Sequence, residues 1–396
     1  MSRSLKIIII GVLLTLGIGG LILYFVSNRG GEGENIIDRI FPTAMETPGF
    51  VPTVALPKAQ PTPGATEVLG TIAARSLEQG ALFLLSADPV SSLAVVGTTT
   101  RYHKNIPENL GHLFERKADG SDSEIRVSNF TIPQVQKVVW SHDAKRAVLF
   151  YNLDETIRKI LVEYAGTSTP KTNFLPDTVE DVAFSPDSRS LAYVDEKDGS
   201  ANIFIAAADF RNPRKIFDNT IPRLGISWPT ASLLSLETKS AATIAGFTYT
   251  LNAQSGELRK MVEGMGLTAI LNSDGSGALY SSGKELALSY LDIKSSSISN
   301  LGIKAPAQKC VFSVSAKNIA YCAVPKNLSK AAYPDAWWQG KVIFDDTIIM
   351  IDTATKEKKT IKDFGGDATH LTLAQNDSYL LFIDKTTGAL WSLKLK

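Results

Sequence analysis

The residues best suited to contact another molecule are concentrated in one aromatic segment. Residues 333–340 read Tyr-Pro-Asp-Ala-Trp-Trp-Gln-Gly, which sets three large aromatic side chains beside an acid and an amide. Tyrosine and tryptophan bury much surface at a low entropic cost, and this is typical of interface anchors. We therefore predict a binding surface that includes Tyr333, Asp335, Trp337, Trp338 and Gln339. The alternative is that the two tryptophans fold down as a structural cap.

The two cysteines form a second group with defined chemistry. Cys310 and Cys322 lie in two apolar segments that flank a short turn symmetrically. If the turn centres on Ala316, the two residues face each other across antiparallel strands, within reach of a disulfide bond. A disulfide and a pair of buried thiols both fit this pattern, because a free cysteine packs well as a small apolar residue.

Motifs of the common enzyme classes are absent from the sequence. The chain has no Gly-x-Ser-x-Gly nucleophile elbow, no glycine-rich nucleotide fingerprint and no His-Glu-x-x-His pair. Its four histidines are His103, His112, His142 and His370. Asp367 precedes His370 by three residues, but this spacing alone does not make a metal site. We predict no catalytic residues, no metal and no cofactor.

Composition restricts the class of protein. The chain has 396 residues, of which 44% are hydrophobic and 20% are charged. This hydrophobic content is too high for a disordered chain. Because 41 basic residues balance 40 acidic ones to a net charge of +1, bulk electrostatic binding of nucleic acid is excluded.

The N-terminal segment predicts attachment to a membrane. Residues 7–26 are uncharged and apolar throughout, which is long enough to cross a bilayer and too long for an ordinary signal peptide. Arg3 and Lys6 precede this segment, whereas Arg29 behind it is diluted by acids. The positive-inside rule then places residues 1–29 as a cytoplasmic N-terminus with an uncleaved signal anchor, and the rest of the chain outside the cytoplasm.

A proline-rich linker follows the apolar segment. Residues 30–66 combine a glycine-rich start with six prolines between Pro42 and Pro63. Proline at this density favours extended backbone, so we predict a semi-rigid spacer that holds a domain away from the membrane.

A repeated unit predicts the architecture of residues 67–396. Residues 183–194 read as a strand, a Ser-Pro-Asp-Ser turn and a second strand, with two further strands at 202–209 and 214–217. Equivalent turns occur at Asp88, Asp143, Asp187, Thr230, Asp274, Ser315 and Asn376. Most steps lie close to 44 residues, the period of a four-stranded propeller blade. We predict an all-β, seven-bladed propeller of antiparallel blades.

Two further features of the predicted propeller concern its closure and its insertions. The last blade lacks an outer strand, and we expect residues 67–77 to supply it and close the ring. Two intervals between successive turns are longer than the others, from Asp88 to Asp143 and from Ser315 to Asn376. They indicate insertions between the second and third strands, at 101–109 in blade one and 325–344 in blade six. We expect Tyr102, His103 and Lys104 of the first insertion to share one raised rim with the aromatic segment.

The unit at residues 183–209 resembles the TolB-like or WD-like propeller repeat. Ser185, Pro186 and Asp187 match the Ser-Pro-Asp-Gly turn of that family, and Ser188 replaces its glycine. The resemblance implies a propeller that acts mostly as an interaction platform. Because the matching motif is a structural turn, the resemblance implies no catalytic residues.

These observations favour a membrane-anchored, extracytoplasmic propeller that binds a protein, a peptide or an envelope polymer. The first alternative is an envelope-associated lyase or hydrolase, which requires polar side chains that converge in the propeller channel. The second alternative is a purely structural subunit of an envelope complex.

Overall fold

The computed structural model describes residues 78–396, except 108, 109, 165, 167, 168 and 219. The predicted signal anchor (1–29), linker (30–66) and closing segment (67–77) lie outside the described residues. Across the described part of the chain, no helix is both long enough and apolar enough to span a membrane.

Seven four-stranded antiparallel sheets form the propeller. The described chain begins with β1 (Leu82–Ser86), followed by blade one, which comprises β2 (Val90–Val96), β3 (Thr99–Lys104), β4 (Leu113–Lys117) and β5 (Ile125–Ser128). Blade two comprises β6 (Val135–Trp140), β7 (Arg146–Leu153), β8 (Thr156–Glu163) and β9 (Lys171–Phe174). Blade three comprises β10 (Val179–Phe184), β11 (Ser190–Lys197), β12 (Ser200–Ala207) and β13 (Arg214–Phe217).

The second half of the ring follows the same plan. Blade four comprises β14 (Leu224–Ser227), β15 (Leu233–Thr238), β16 (Ala245–Asn252) and β17 (Leu258–Met265). Blade five comprises β18 (Thr268–Leu271), β19 (Gly277–Ser282), β20 (Ala287–Asp292) and β21 (Ser297–Lys304). Blade six comprises β22 (Cys310–Phe312), β23 (Ile319–Pro325), β24 (Asp346–Asp352) and β25 (Lys358–Asp363), with the one-turn helix α1 (Asp335–Trp338) between β23 and β24. Blade seven contains β26 (Ala368–Leu373), β27 (Tyr379–Asp384) and β28 (Leu390–Lys394).

The predicted seven-bladed propeller is confirmed, including closure of the ring by an N-terminal strand. The strand that closes it is β1, which pairs with β28 from Leu82↔Leu393 to Ser86↔Leu390. The position predicted for residues 67–77 is therefore taken by β1, and that prediction is wrong. The placement of the first turn of blade one at Asp88, which made residues 82–86 its inner strand, is wrong for the same reason. Pairing with the chain's last strand satisfies the backbone groups of β1, which neither periodicity nor composition specifies.

The same error misplaced the first repeat of the sequence alignment. Asp88 lies between β1 and β2, and so joins blade seven to blade one. The turn of blade one that corresponds to the others is at Gly97, between β2 and β3. The interval from Asp88 to Asp143 is therefore long because Asp88 follows the closing strand and does not lie in a blade-one hairpin. The interval from Ser315 to Asn376 is long because it contains the insertion of blade six.

The Ser-Pro-Asp-Ser turn of blade three shows how each hairpin is held. The Ser185 hydroxyl donates to the Asp187 carboxylate (2.6 Å) and accepts from the Ser190 backbone N–H (2.9 Å). Ser188 has φ +60°, a left-handed conformation that favours glycine. Its hydroxyl accepts a hydrogen bond from the Asp143 N–H of blade two at 3.0 Å, so the serine links neighbouring turns where glycine could not.

The hydrophobic core lies between adjacent blades. Ala192 and Ile203 of blade three, for example, pack with Leu234 and Leu251 of blade four, and all four are fully buried. Because each blade buries one face against each neighbour, its middle strands are apolar on both sides, as the unbroken apolar stretches of β11 and β23 predict.

Candidate functional site

The aromatic segment lies in the insertion of blade six, which we define as residues 326–345 between β23 and β24. The Asp335 carboxylate accepts a hydrogen bond from the Ala242 N–H of blade four at 3.1 Å. Tyr333 and Pro334 lie so close to Gly266, between blades four and five, that an added Cβ there would be 2.7 Å from their atoms. The insertion thus crosses blade five to reach blade four, on the face where every inner strand begins.

A small aromatic core anchors this insertion. Tyr333, Trp337 and Phe344 are 1%, 5% and 3% exposed and pack with the fully buried Leu286 of blade five. The Phe344 ring lies 5.8 Å from the Tyr333 ring and 5.7 Å from the Trp337 ring. Tyr333 and Trp337 therefore cap the propeller face, and their rings offer no surface to a partner.

A buried ionic network lies beneath the cap. The Lys309 ammonium contacts Asp367 (2.5 Å) and Asp346 (2.8 Å), and all three side chains are fully buried. The second oxygen of Asp367 accepts hydrogen bonds from Trp337 Nε1 (2.9 Å) and the Phe344 backbone N–H (3.1 Å). Asp367 therefore ties the insertion to the connection between blades six and seven.

Burial shifts the pKa values of two side chains at this network. Burial raises the pKa of Asp346 to about 6, although the Lys309 ammonium acts in the opposite direction. Burial also lowers the pKa of Lys385, whose ammonium lies 4.5 Å from the centre of the Trp337 ring. Lys309, Lys385 and Asp367 thus contact the Trp337 side chain directly, whereas Asp346 is linked to it through Lys309.

The outward side of the insertion exposes apolar as well as polar side chains. Trp338 is 41% exposed and Ile343 is 57% exposed, while Gln339 is also exposed and Asp335 is half-buried. The Trp338 indole is oriented by a 3.0 Å hydrogen bond from Nε1 to the side chain of Gln308. The insertion therefore exposes two large apolar side chains, Trp338 and Ile343, while the buried contacts of Tyr333 and Trp337 hold its backbone in place.

Blade four also exposes apolar side chains on this face of the propeller. Ile244 is 59% exposed and Met265 is 50% exposed. The two are neighbours, because Ala245 pairs with Met265 in the sheet. Gly266, which follows Met265, lies against Tyr333 at the start of α1. We define the apolar surface as Ile244, Met265, Trp338 and Ile343.

Tyr102, His103 and Lys104 occupy strand β3 and do not project as a loop. Tyr102 and His103 are fully buried, and Lys104 is 7% exposed. The His103 ring is hydrogen-bonded to the Ser92 hydroxyl (2.7 Å) and the Tyr164 hydroxyl (2.6 Å) and stacks on Trp140. Burial lowers the pKa of His103 to about 3, so the ring is neutral at ordinary pH.

The other two residues of this group are held by acids. Lys104 pairs with Asp88 (2.8 Å) and Glu124 (2.6 Å), and the Tyr102 hydroxyl donates to Glu124 at 2.7 Å. These contacts fasten the crossing from β1 into blade one. The structure does not bring Tyr102, His103 and Lys104 into contact with the apolar surface, because they pack between blades one, two and seven.

Cys310 and Cys322 are joined by a disulfide bond in the structure. They are register partners across β22 and β23, with their Cα atoms 4.0 Å apart. Both are buried in the core between blades five and six. The bond fixes the hairpin from which the insertion leaves.

The sequence did not predict a polar group formed by Lys137 and Asp181 of two inner strands and Glu237 of the second strand of blade four. The Lys137 ammonium of blade two lies 2.6 Å from Asp181 of blade three, which also accepts the Ile226 N–H of blade four at 3.3 Å. Glu237 is half-buried beside them, where burial and then the charge of Asp181 raise its pKa to about 7.

Two irregularities bring these side chains together. Gln136 in β6 and Glu180 in β10 have no partner in the strand register, so each strand contains a β-bulge. The bulges change the direction of the Lys137 and Asp181 side chains that follow them. Gly225 stands opposite Glu237, and an added Cβ there would lie 3.8 Å from the Asp181 carboxylate, so this glycine marks the place where the two acids approach each other. The one signal in the sequence was this glycine inside an otherwise apolar strand.

The remaining histidines do not assemble a metal site. Within the described ranges, no group of three or more His, Cys, Asp or Glu residues is placed to hold a metal ion. His370 occupies a bulge of β26 with φ +54°, while Asp367 is fully engaged by Lys309 and Trp337.

Comparisons with known proteins show the fold. No protein-family model and no curated protein sequence matches the chain. An oligogalacturonate lyase from Vibrio parahaemolyticus aligns with a TM-score of 0.58 and 10% identity, over 81% of this chain and 95% of that chain. A chain of the mitotic checkpoint complex aligns with a TM-score of 0.52 and 10% identity, over 88% of this chain and 99% of that one. TolB from Acinetobacter baumannii aligns with a TM-score of 0.43 and 11% identity, over 76% of this chain and 78% of that chain.

These similarities do not assign an activity. The lyase and the checkpoint chain differ in function, and at about a tenth identity each shares only architecture with this chain. The chain is a seven-bladed β-propeller whose fold is shared with oligogalacturonate lyase.

Proposed function

We propose that this protein is a membrane-anchored, extracytoplasmic propeller that binds a protein or peptide partner through its apolar surface. The observation that carries this proposal is the contrast between Trp337 and Trp338. Trp337 is buried and donates a hydrogen bond to Asp367, which holds α1 in place. Trp338, the next residue of the same helix, is exposed. A pre-ordered aromatic side chain loses little entropy on binding, and such residues dominate interface energetics.

The membrane part of the proposal rests on residues 7–26 and their basic flank. Its test is the accessibility of the propeller to an added protease in intact cells. Digestion without permeabilisation supports the proposed orientation. Protection until the membrane is opened contradicts it.

The binding part is tested by a single substitution, Trp338→Ala, in the full chain solubilised from membranes. The matched control is Phe174→Ala, because Phe174 is a 66% exposed aromatic residue on the outer strand of blade two. We expect Trp338→Ala to melt close to the unmodified protein and to lose a partner that Phe174→Ala retains. Retention of every partner by Trp338→Ala, or equal loss by both variants, contradicts the proposal.

An enzyme that works in the channel is the second candidate, favoured by the group Lys137, Asp181 and Glu237. A carboxyl group with a raised pKa close to a second carboxyl group is a common arrangement for acid–base chemistry. The lyase with the same fold makes acidic oligosaccharides the first substrates to test. Release of an unsaturated product by the full chain, abolished by Glu237→Gln, supports this candidate. Absence of any product with the unmodified protein counts against it.

A further inference from the structure

A concave site separate from the apolar surface lies between blades five and six. Its cavity is about 500 Å³, within the range of small-molecule sites. One wall is the turn between β19 and β20 together with the end of β21, and the other is the first limb of the insertion. Its charged lining residues are Lys284, Glu285, Lys304, Lys326 and Lys330.

The positive charges of this lining are only partly neutralised. Lys304 pairs with Glu285. Lys326 is held between Asp345 (2.9 Å) and Asp363 (2.5 Å), two acids outside the lining.

Lys284 and Lys330 are exposed and have no acidic partner among the described residues. They stand on opposite walls, one on blade five and one on the insertion. An anion in the cavity would therefore meet ammonium groups from both sides.

The walls are held in place before any ligand arrives. Ser329 is fixed by Tyr333, whose hydroxyl donates to the Ser329 carbonyl at 3.0 Å. Leu328 packs against the same buried aromatic core. Ser329 and Asn327 add uncharged hydrogen-bonding groups to the lining. The insertion thus supplies one wall with two basic side chains, Lys326 and Lys330, and two neutral polar ones.

We propose that this cavity binds a small organic anion, through a phosphate or carboxylate group set between Lys284 and Lys330. Lysine ammonium groups bind such anions as point charges and donate up to three hydrogen bonds each. The volume accommodates a ligand the size of a sugar acid or a sugar phosphate. This inference does not depend on partner binding at Trp338.

The test is a titration of the full chain in detergent with glucose 6-phosphate and with glucuronate, followed by calorimetry. Glucose is the neutral comparator. We expect saturable binding of at least one anion and none of glucose. Binding of glucose 6-phosphate alone identifies phosphate as the preferred group, and binding of glucuronate alone identifies carboxylate. If neither anion binds, or if glucose binds equally well, the inference is overturned.

Paired variants separate this site from general surface charge. Lys284→Gln with Lys330→Gln removes both unpaired ammonium groups, and we expect binding to weaken about 10-fold or more. Lys294→Gln with Lys341→Gln is the control, because it makes the same change in net charge at exposed positions outside the lining. Equal weakening in both double variants contradicts a site in the cavity, and so does unchanged binding in the first.

Discussion

The two adjacent tryptophans of α1 are expected to differ sharply in what they contribute to stability. Trp337 is 5% exposed, stacks on Phe344 and donates to the buried Asp367. Replacing a buried tryptophan by alanine costs about 3–5 kcal/mol, and loss of a bond to a charged acceptor acts in the same direction. These effects overlap at one site, so we expect Trp337→Ala to cost about 4 kcal/mol.

Trp338 provides the matched comparison one residue away. It is 41% exposed, and its one hydrogen bond goes to the exposed Gln308. An exposed hydrogen bond of this kind contributes about 0.5–1 kcal/mol. We therefore expect Trp338→Ala to cost about 1 kcal/mol, which leaves a difference of about 3 kcal/mol between the variants.

The measurement is urea denaturation of the full chain in detergent, followed by circular dichroism. Trp337→Phe keeps one aromatic ring in the cap but removes the N–H group and the second ring of the indole. We expect its free energy of unfolding to lie between those of the unmodified protein and Trp337→Ala. Equal costs for the two alanine variants, or a larger cost at Trp338, would refute the assignment of Trp337 as the cap.

Three further predictions concern buried titratable groups and the disulfide. Burial lowers the pKa of His103 to about 3, so the neutral ring contributes its full stabilisation above pH 6.5. Below pH 6.5 the free energy of unfolding should fall by roughly 1.4 kcal/mol per pH unit, because the unfolded chain binds a proton that the folded protein does not. Urea denaturation between pH 7 and 5 should show this fall, and His103→Asn should not show it. Because burial and the charge of Asp181 raise the pKa of Glu237 to about 7, the protonated side chain contributes to the free energy of unfolding below pH 4.5, and this contribution is lost as pH rises through 7. Glu237→Gln should therefore stabilise the protein by about 1–3 kcal/mol at pH 8 and hardly at pH 4.5, whereas equal effects at both pH values would contradict the raised pKa. Reduction of Cys310–Cys322, which are 12 residues apart, should lower the unfolding free energy by about 2 kcal/mol, and Cys310→Ser with Cys322→Ser should be insensitive to reductant.

The repeat pattern predicted six of the seven hairpin turns in their correct places. Each of these turns is specified locally, as the Ser185 hydroxyl illustrates by bonding both Asp187 and Ser190. Local hydrogen bonds leave a signature in the sequence, because the residues that make them are a few positions apart. The long loop after β23 was predictable for the same reason, since it interrupts the period.

The identity of the closing strand and the burial of Tyr102, His103 and Lys104 were beyond this kind of prediction. Strand β1 belongs to blade seven because it pairs with β28, more than 300 residues away in the chain. His103 is polar and near a loop, but the Ser92 and Tyr164 hydroxyls satisfy it in the interior. A buried polar side chain is distinguished from an exposed one only by such partners.

The sequence was enough to predict the number of blades, the strand order within them and the position of the large insertion, because period, turn chemistry and apolar pattern are local properties. Tertiary structure alone decided which tryptophan is buried and which is exposed. The two are adjacent and identical in type, and only the contacts of Trp337 with Asp367 and Phe344 distinguish them. Tertiary structure also brought Lys137, Asp181 and Glu237 together, because three blades meet there and two strand bulges re-aim the charged side chains.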